Sequence, residues 1–357
     1  MSRQRSPLDV PWLDEVTRVP DSLKLATGRA ALRPLADVLE RDDRSRVRTL
    51  REWTRHRQEI RRRWASFLGP MPQRPISAAF DVLRSDRLPR TTRQLIRYEA
   101  EAGQEVEAYL LTPRTPSRTP RPAIVALHQT TTATIEQVAG VTGPEMQQIG
   151  LQLARRGFVV ICPRNYLWQG VKSYSEAVER FASRHPGTLG MHKMLHDAQR
   201  AVDLLVGLPG VDASRIGATG HSLGGKEVLY LAAFDERIAA AVSSEGGVGF
   251  RFTNWNAPWY LGRAIDSDTF PLNHHQLLAL AAPRPFLVLG GEKPGPQAAD
   301  GDRSWPLLEA AWPAWKLYGQ RTRLGLFNHG QGHSIPPRAF ERMAEWLETY
   351  LGARTGR

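Results

Sequence analysis

In Gly220-His221-Ser222-Leu223-Gly224 a serine is flanked on each side, two positions away, by glycine. Arg215–Thr219 before it is short and strand-like, and Gly225–Ala233 after it reads as a helix. So sharp a reversal from strand to helix needs residues without a Cβ on both sides of the turn, and it lifts the serine hydroxyl clear of the strand's carboxyl end. Such a hydroxyl becomes a nucleophile once a histidine takes its proton and a carboxylate fixes that histidine's tautomer. Asn328-His329-Gly330-Gln331-Gly332-His333-Ser334 supplies two histidines. His333, on the loop ahead of the last helix, is preferred as the base, with His329 as a support of the loop. Three carboxylates follow the apolar stretch Pro285–Leu289: Glu292, Asp300 and Asp302. Glu245, in Ser243-Ser244-Glu245-Gly246-Gly247, is preferred as the acid because a charge among small residues at a strand end is poorly explained by packing; Asp302 and Asp300 stay open as alternatives.

Acyl transfer also needs donors aimed at the oxygen where negative charge develops. The backbone N–H of Leu223, at the start of the helix, is one candidate. The N–H of Gln129, in His128-Gln129-Thr130-Thr131, is the other, with His128 read as a loop anchor. Trp255, Trp259 and Tyr260, like Tyr166 and Trp168, either line a substrate cleft or pack as a lid. His192 and His196 are four apart beside Asp197, but the glutamate of His-Glu-x-x-His is missing, so they are read as polar helix surface and no metal is expected.

The elements that must carry these residues follow one pattern. Residues 42–68 place Val47, Leu50, Trp53, Ile60, Trp64 and Phe67 at helical spacing and stop at Gly69-Pro70. A leader with a short helical piece near Leu32–Glu40 precedes them. Thr92–Ala100 and Val106–Thr112 alternate around Ala102-Gly103-Gln104 as a hairpin. Beyond Pro122 apolar strands (Ala123–Leu127, Phe158–Ile161, Arg215–Thr219, Ile238–Ser243, Pro285–Leu289, Arg323–Phe327) are interleaved with helices over Glu145–Arg156, Met191–Val206, Lys226–Phe234, Trp305–Tyr318 and Pro337–Leu351. That alternation predicts an α/β chain with a mostly parallel sheet covered on both faces. Residues 1–90 are expected to form an N-terminal helical extension packed on the core, and 91–357 the catalytic domain. The stretches Pro163–Gly190 and Asn254–Asp268 are too long for simple connections and are read as insertions over the site.

The chain has 357 residues, 41% of them hydrophobic, and a net charge of +12. Six of its 48 basic residues are lysine and the other 42 arginine, a skew that base composition of a genome produces without any binding role. The densest basic stretch, Arg41 to Arg63, also carries Asp42, Asp43, Glu52 and Glu59 on an amphipathic helix, so a solvated basic face is expected rather than a nucleic-acid module. A non-catalytic basic binding protein is the remote alternative. Cys162, the single cysteine, ends an apolar strand and is read as packing. No signal-like or membrane-spanning apolar run occurs, so a cytoplasmic location with no membrane partner is expected.

The serine turn, the His128-Gln129 loop and the His333 loop together resemble the α/β-hydrolase superfamily. Val211-Asp212-Ala213-Ser214-Arg215-Ile216-Gly217, the segment Gly190–Ala201, and Ala281-Ala282-Pro283-Arg284-Pro285-Phe286-Leu287 resemble its dienelactone-hydrolase and prolyl-oligopeptidase-like branch, which includes acetyl-xylan-esterase-like proteins. Part of the chain also resembles the glucuronoyl esterases. In that family the acid follows the strand after the nucleophile helix, matching Glu245, and a lysine four positions after the serine contacts the sugar, matching Lys226. The family's arginine directly after the serine is Leu223 here. The resemblance implies an α/β-hydrolase fold and a cofactor-free serine esterase acting through an acyl-enzyme on acetylated or uronate sugars, with a peptidase or lactonase as the alternative.

Overall fold

The computed structural model describes Val10, Trp12 and residues 35–292, 298–320 and 323–352. Among them one sheet runs β1 (Asp81–Arg87), β2 (Thr91–Glu101), β3 (Gln104–Pro113), β5 (Val159–Pro163), β4 (Arg121–Leu127), β6 (Val211–His221), β7 (Ile238–Ser244), β8 (Phe286–Gly290), β9 (Leu324–Asn328). Pairings from β1 through β3 to β5 are antiparallel, and those from β5 through β4 to β9 are parallel. The sheet therefore begins at Asp81, inside the stretch expected to be an extension. β1 was not foreseen because it is a polar, almost wholly exposed edge strand with no alternation of apolar residues.

Strands β5 and β8 are buried along their whole length, and β4 from Pro122 onward, as continuous apolar strands covered on both faces must be. Successive residues of β4 point into different cores: Ala123, Val125 and Leu127 join one, Ile124 and Ala126 the other. The second core is closed by α2 (Thr134–Val138), α3 (Ile149–Arg155) and α9 (Pro337–Leu351). The first is closed by α1 (Leu50–Leu68), α5 (Gly190–Gly207), α6 (Leu223–Phe234), α7 (His274–Ala281) and α8 (Trp305–Leu317). Of the insertions, Pro163–Gly190 contains α4 (Tyr174–Arg184) and a short 3-10 turn, Tyr166–Trp168.

Helix α1 starts eight residues later than its apolar spacing suggests, because Thr49 and Glu52 form a reciprocal capping box at that point. Within the expected helical piece Leu32–Glu40, residues 35–40 form a turn and a bridge from Glu40 to Arg46 instead; the rest lies outside the described residues. The basic face of α1 is partly internal. Arg61 donates to Phe234 O (3.3 Å) and Ala233 O (3.1 Å), the orphan carbonyls that end α6, and Arg57 donates to Leu280 O (3.1 Å) on α7. Among the described residues, no helix is long and apolar enough to cross a membrane.

Candidate active site

The carboxyl ends of β4, β6, β7, β8 and β9 converge on one side of the sheet, next to the place where strand order reverses at β4; open α/β sheets bind ligands in that crevice. Ser222 sits at the tip of β6, at φ 57° and ψ −114°, a conformation that a side chain normally avoids. Its N–H holds Ser244 O at 2.8 Å, continuing the β6–β7 ladder one step past the strand and fixing the turn. A Cβ at Gly220 would lie 2.5 Å from Gly224 C, and one at Gly225 would lie 2.7 Å from Ser244 O, so α6 can fold back against the sheet only without these side chains. Glu245 repeats the device one strand over: it has φ 54°, and its N–H holds Leu289 O at 2.8 Å.

Ser222, His333 and Glu245 form one hydrogen-bonded line. His333 Nε2 is 2.9 Å from Ser222 Oγ, and His333 Nδ1 is 2.9 Å from Glu245 Oε2. A carboxylate only accepts, so Nδ1 carries the proton and Nε2 is free to accept the serine's. Glu245 is 1% exposed, and its oxygens also receive the N–H groups of Gly291 and of Ala299 (2.5 Å). Burial pushes its pKa upward; the bonds from His333 and Ala299 pull it back, while Asp300 nearby adds to the rise.

The two alternative acids are engaged elsewhere. Asp300 is fully buried and accepts from Gly247 N–H (2.6 Å), Val248 N–H (2.8 Å) and Ser304 Oγ (2.8 Å), so it pins the loop after β7. Asp302 accepts from Asn328 Nδ2 at 3.0 Å, at the end of β9. His329 N–H donates to Gly290 O at 2.7 Å and its Nδ1 accepts from Gln331 N–H at 3.2 Å, a loop brace.

Leu223 is the first residue of α6, where backbone N–H groups have no carbonyl a turn earlier to bind. Gln129 lies on the loop after β4, whose last pairing, Leu127 with Gly220, brings it beside the serine turn. The loop is tied by His128: Nδ1 donates to Gln129 O (2.8 Å) and Nε2 accepts from Asn165 N–H (3.1 Å). Burial lowers the His128 pKa to about 4, which keeps the ring neutral in that role. Asn165 in turn donates to Glu227 Oε1 at 3.0 Å; burial pushes that carboxyl well above its ordinary range.

The cleft over Ser222 has a volume of about 720 Å³ and is walled by Thr130, Tyr174, Phe252, Thr253, Trp259 and Arg303 among others. Lys226 forms its floor one helical turn after the serine. Nζ donates to Gly246 O (2.7 Å) and to Thr253 Oγ1, and lies 4.3 Å from the Trp255 ring centre and 5.4 Å from that of Tyr260. Burial lowers its pKa to about 7, against the opposing pull of Asp300. Of the expected cleft aromatics, Trp259 is in the wall. Trp255 is not: it is fully buried beneath Lys226 and donates to Gly247 O at 2.5 Å. Trp168 also lies outside this cleft, on a second cavity, with its ring 5.1 Å from His128 and 5.2 Å from Tyr174.

His192 Nδ1 donates to Gly69 O (2.6 Å), and His196 Nε2 lies 3.2 Å from Pro72 O, so both dock the segment after α1 rather than face solvent as expected. Sequence reasoning missed two neighbours of the site. His221, buried, bonds Ser244 Oγ (3.0 Å) and supports His333 with ring centres 4.8 Å apart; burial, then the two nearby histidines, lowers its pKa to about 3. Arg303 lies over the Phe252 ring (4.5 Å) and donates to Ala298 O and Ala299 O (3.0 Å), bracing the segment whose Ala299 N–H reaches Glu245. Neither has a motif to announce it; His221 adjoins the serine, and that adjacency was the one available signal.

The fold is that of the α/β-hydrolases. Residues 106–265 match the model of the dienelactone hydrolase family. A 4-O-methyl-glucuronoyl methylesterase of Hypocrea jecorina is 29% identical over 188 residues, which cover 43% of this chain and 38% of that protein. 4-O-methyl-glucuronoyl methylesterase 1 of Sodiomyces alcalophilus is 27% identical over 157 residues, covering 37% and 31% respectively. The chain thus matches less than two fifths of the length of these curated relatives. Among solved structures, a glucuronoyl esterase from Solibacter usitatus superposes with a TM-score of 0.74 at 19% identity, over 90% of this chain and 99% of that one. The glucuronoyl esterase catalytic domain of Hypocrea jecorina gives 0.62 at 19%, covering 91% of each. At such identity these structures speak for the fold alone.

Proposed function

We propose that this protein hydrolyses carboxylic esters through Ser222, His333 and Glu245, and that its substrates are esters borne on sugars. The observation that carries the reading is the unbroken line from Ser222 Oγ through His333 to a buried, triply bonded Glu245, opening on a cleft. Ser222 Oγ attacks the ester carbonyl carbon as its proton passes to His333 Nε2, and Glu245 stabilises the imidazolium that forms. The N–H groups of Leu223 and Gln129 bind the oxyanion. His333 then protonates the departing alcohol, leaving an acyl group on Ser222. Water, deprotonated by His333, attacks that acyl group and releases the acid. No cofactor is needed for any of these steps.

The sugar-ester half rests on the activities that name the similar proteins and on Lys226, a buried amine in the floor where a hydroxyl or ring oxygen would sit. A lactone is the second reading, favoured by the family model matched over residues 106–265.

The test is steady-state turnover of p-nitrophenyl acetate and of a methyl glucuronate ester. Ser222→Ala is expected to cost about 10⁴-fold or more in kcat and Glu245→Gln about 10²- to 10⁴-fold, while Asp302→Asn stays within about threefold. Undiminished turnover by Ser222→Ala would reject the mechanism. Equal losses in Glu245→Gln and Asp302→Asn would reject the choice of acid.

A further inference from the structure

The insertion that follows β5 has two faces. Leu167 and Tyr174 wall the reaction cleft, while Trp168, Gln169, Arg180 and Arg184 from the same segment wall a second cavity of about 350 Å³. The turn end of the β2–β3 hairpin, with Arg97, Gln104, Glu105 and Glu107, also lines that cavity, as does Arg164. A layer of aromatic contacts joins the linings of the two spaces: Trp168 to Tyr174 at 5.2 Å and Tyr174 to Trp259 at 5.4 Å between centres. Tyr166 lines the second cavity and bonds the carbonyl of Trp259, in the wall of the first, at 3.4 Å.

Among the described residues, one cation of the second cavity, Arg184, is left without a carboxylate partner. The lining of that cavity has five cationic side chains against two carboxylates. Lys193 is already committed, between Glu101 Oε1 (2.5 Å) and Asp197 Oδ1 (2.7 Å). Glu107 pairs with Arg164 at 3.2 Å and with Arg97 at 3.8 Å, and Glu105 with Arg97 at 3.6 Å. Arg180 has Glu176 at 3.1 Å. Arg184, exposed in the last turn of α4, has no carboxylate within ion-pair distance among the described residues. A carboxylate suits a guanidinium fork. The half-buried indole of Trp168 suits the C–H face of a pyranose, and the two glutamines and two glutamates suit hydroxyl groups. Those same glutamates repel a compact dianion such as phosphate more strongly than a monoanionic carboxylate.

We propose that this cavity is a second subsite that binds a carboxylate-bearing sugar unit of an oligosaccharide running from the reaction cleft across the aromatic layer. Continuity with the cleft rests on the sugar-ester reading above; binding in the cavity itself does not need Ser222. Arg184 and Arg180 hold the carboxylate, Trp168 stacks on the ring, and Gln104 and Gln169 read its hydroxyls.

The experiment is calorimetric titration of the full chain with unesterified tetragalacturonic acid, xylotetraose and inorganic phosphate. Tetragalacturonic acid is expected to bind, to weaken as salt is raised, and to lose about tenfold or more in affinity in the Arg180→Ala/Arg184→Ala double variant and in Trp168→Ala. Exposed arginines leave the fold untouched, and a thermal melt of each variant checks this. No detectable binding at millimolar concentration, affinity unchanged by either variant, xylotetraose binding as tightly, or phosphate competing at equal concentration would each overturn the subsite. Turnover of p-nitrophenyl acetate by the unsubstituted chain, measured alongside, reads the ester-hydrolase proposal separately, so either can fail without the other.

Discussion

Ser222 and Glu245 share an uncommon backbone conformation, positive φ on a residue with a side chain, and each is held there by its N–H bonding a carbonyl of the next strand. Turning the chain so abruptly at a strand tip aims both side chains beyond the carboxyl ends of their strands, where His333 bonds each of them. Lys226 is a different case, placed by helical spacing alone one turn after Ser222. Its ammonium has two oxygen acceptors and two ring faces, yet burial lowers its pKa to about 7. In the proposed reaction the charged form is the stronger donor to sugar oxygens. Turnover at low concentration of a methyl glucuronate ester should therefore fall as pH rises through about 7, since the free enzyme loses that proton there. Lys226→Met should remove this limb and raise KM for the uronate ester about tenfold, while kcat/KM for p-nitrophenyl acetate changes much less. A pH profile identical in the variant would show that Lys226 does not read the sugar.

At the scale of elements, the serine turn was legible because its glycines mark close approaches that no other residue permits. The hairpin around Gly103 and the closing helix Pro337–Leu351 were legible from period and punctuation. β1 was not, because an exposed edge strand has no apolar face to show. α7 was missed for the opposite reason: His274 to Ala281 is buried nearly all round, so it has no amphipathic period, and only its Asn273–Gln276 capping box marks it. α4 had a signal that went unused, Ser173 accepting from Glu176 N–H at 3.1 Å. Which carboxylate faced His333 was not decidable from spacing, since Glu245, Asp300 and Asp302 all follow strands that end at the site. Packing separates them: Asp300 is consumed by Gly247, Val248 and Ser304. The α1 boundary is testable on its own. Thr49→Ala removes the acceptor for Glu52 N–H and should cost about 1 kcal/mol in urea unfolding. An unchanged midpoint would mean that Trp53 and Trp64, buried in the core, hold the first turn without its cap.

Over the whole molecule, the histidines are mostly structural and neutral. Burial lowers His128 and His275 to about 4, and His221 and His274 to about 3. A histidine whose pKa is lower in the folded chain leaves the unfolded chain binding more protons below about 6.5, so stability is present above that pH and is lost on acidification. The loss continues down to about pH 4 to 3, at up to about 1.4 kcal/mol per pH unit for each fully buried ring. The raised carboxyls of Glu227, Glu245 and Asp300 act in the opposite sense, favouring the folded chain as pH falls toward their ordinary range. With four histidines involved, net stability in guanidinium should drop between pH 7 and 5, and His274→Gln should flatten that slope while lowering stability at pH 7. A flat profile in the unsubstituted chain would contradict the neutral-histidine account.

Ser222 Oγ ends a hydrogen-bonded line that runs through His333 to Glu245, so the most direct measurement asks which atom of the chain is nucleophilic. Mass spectrometry after reaction with a fluorophosphonate should find one adduct per chain, on the peptide bearing Ser222. It should be absent in Ser222→Ala and form at least about 100-fold more slowly in His333→Ala. An adduct elsewhere, none at all, or a rate indifferent to His333 would contradict the account.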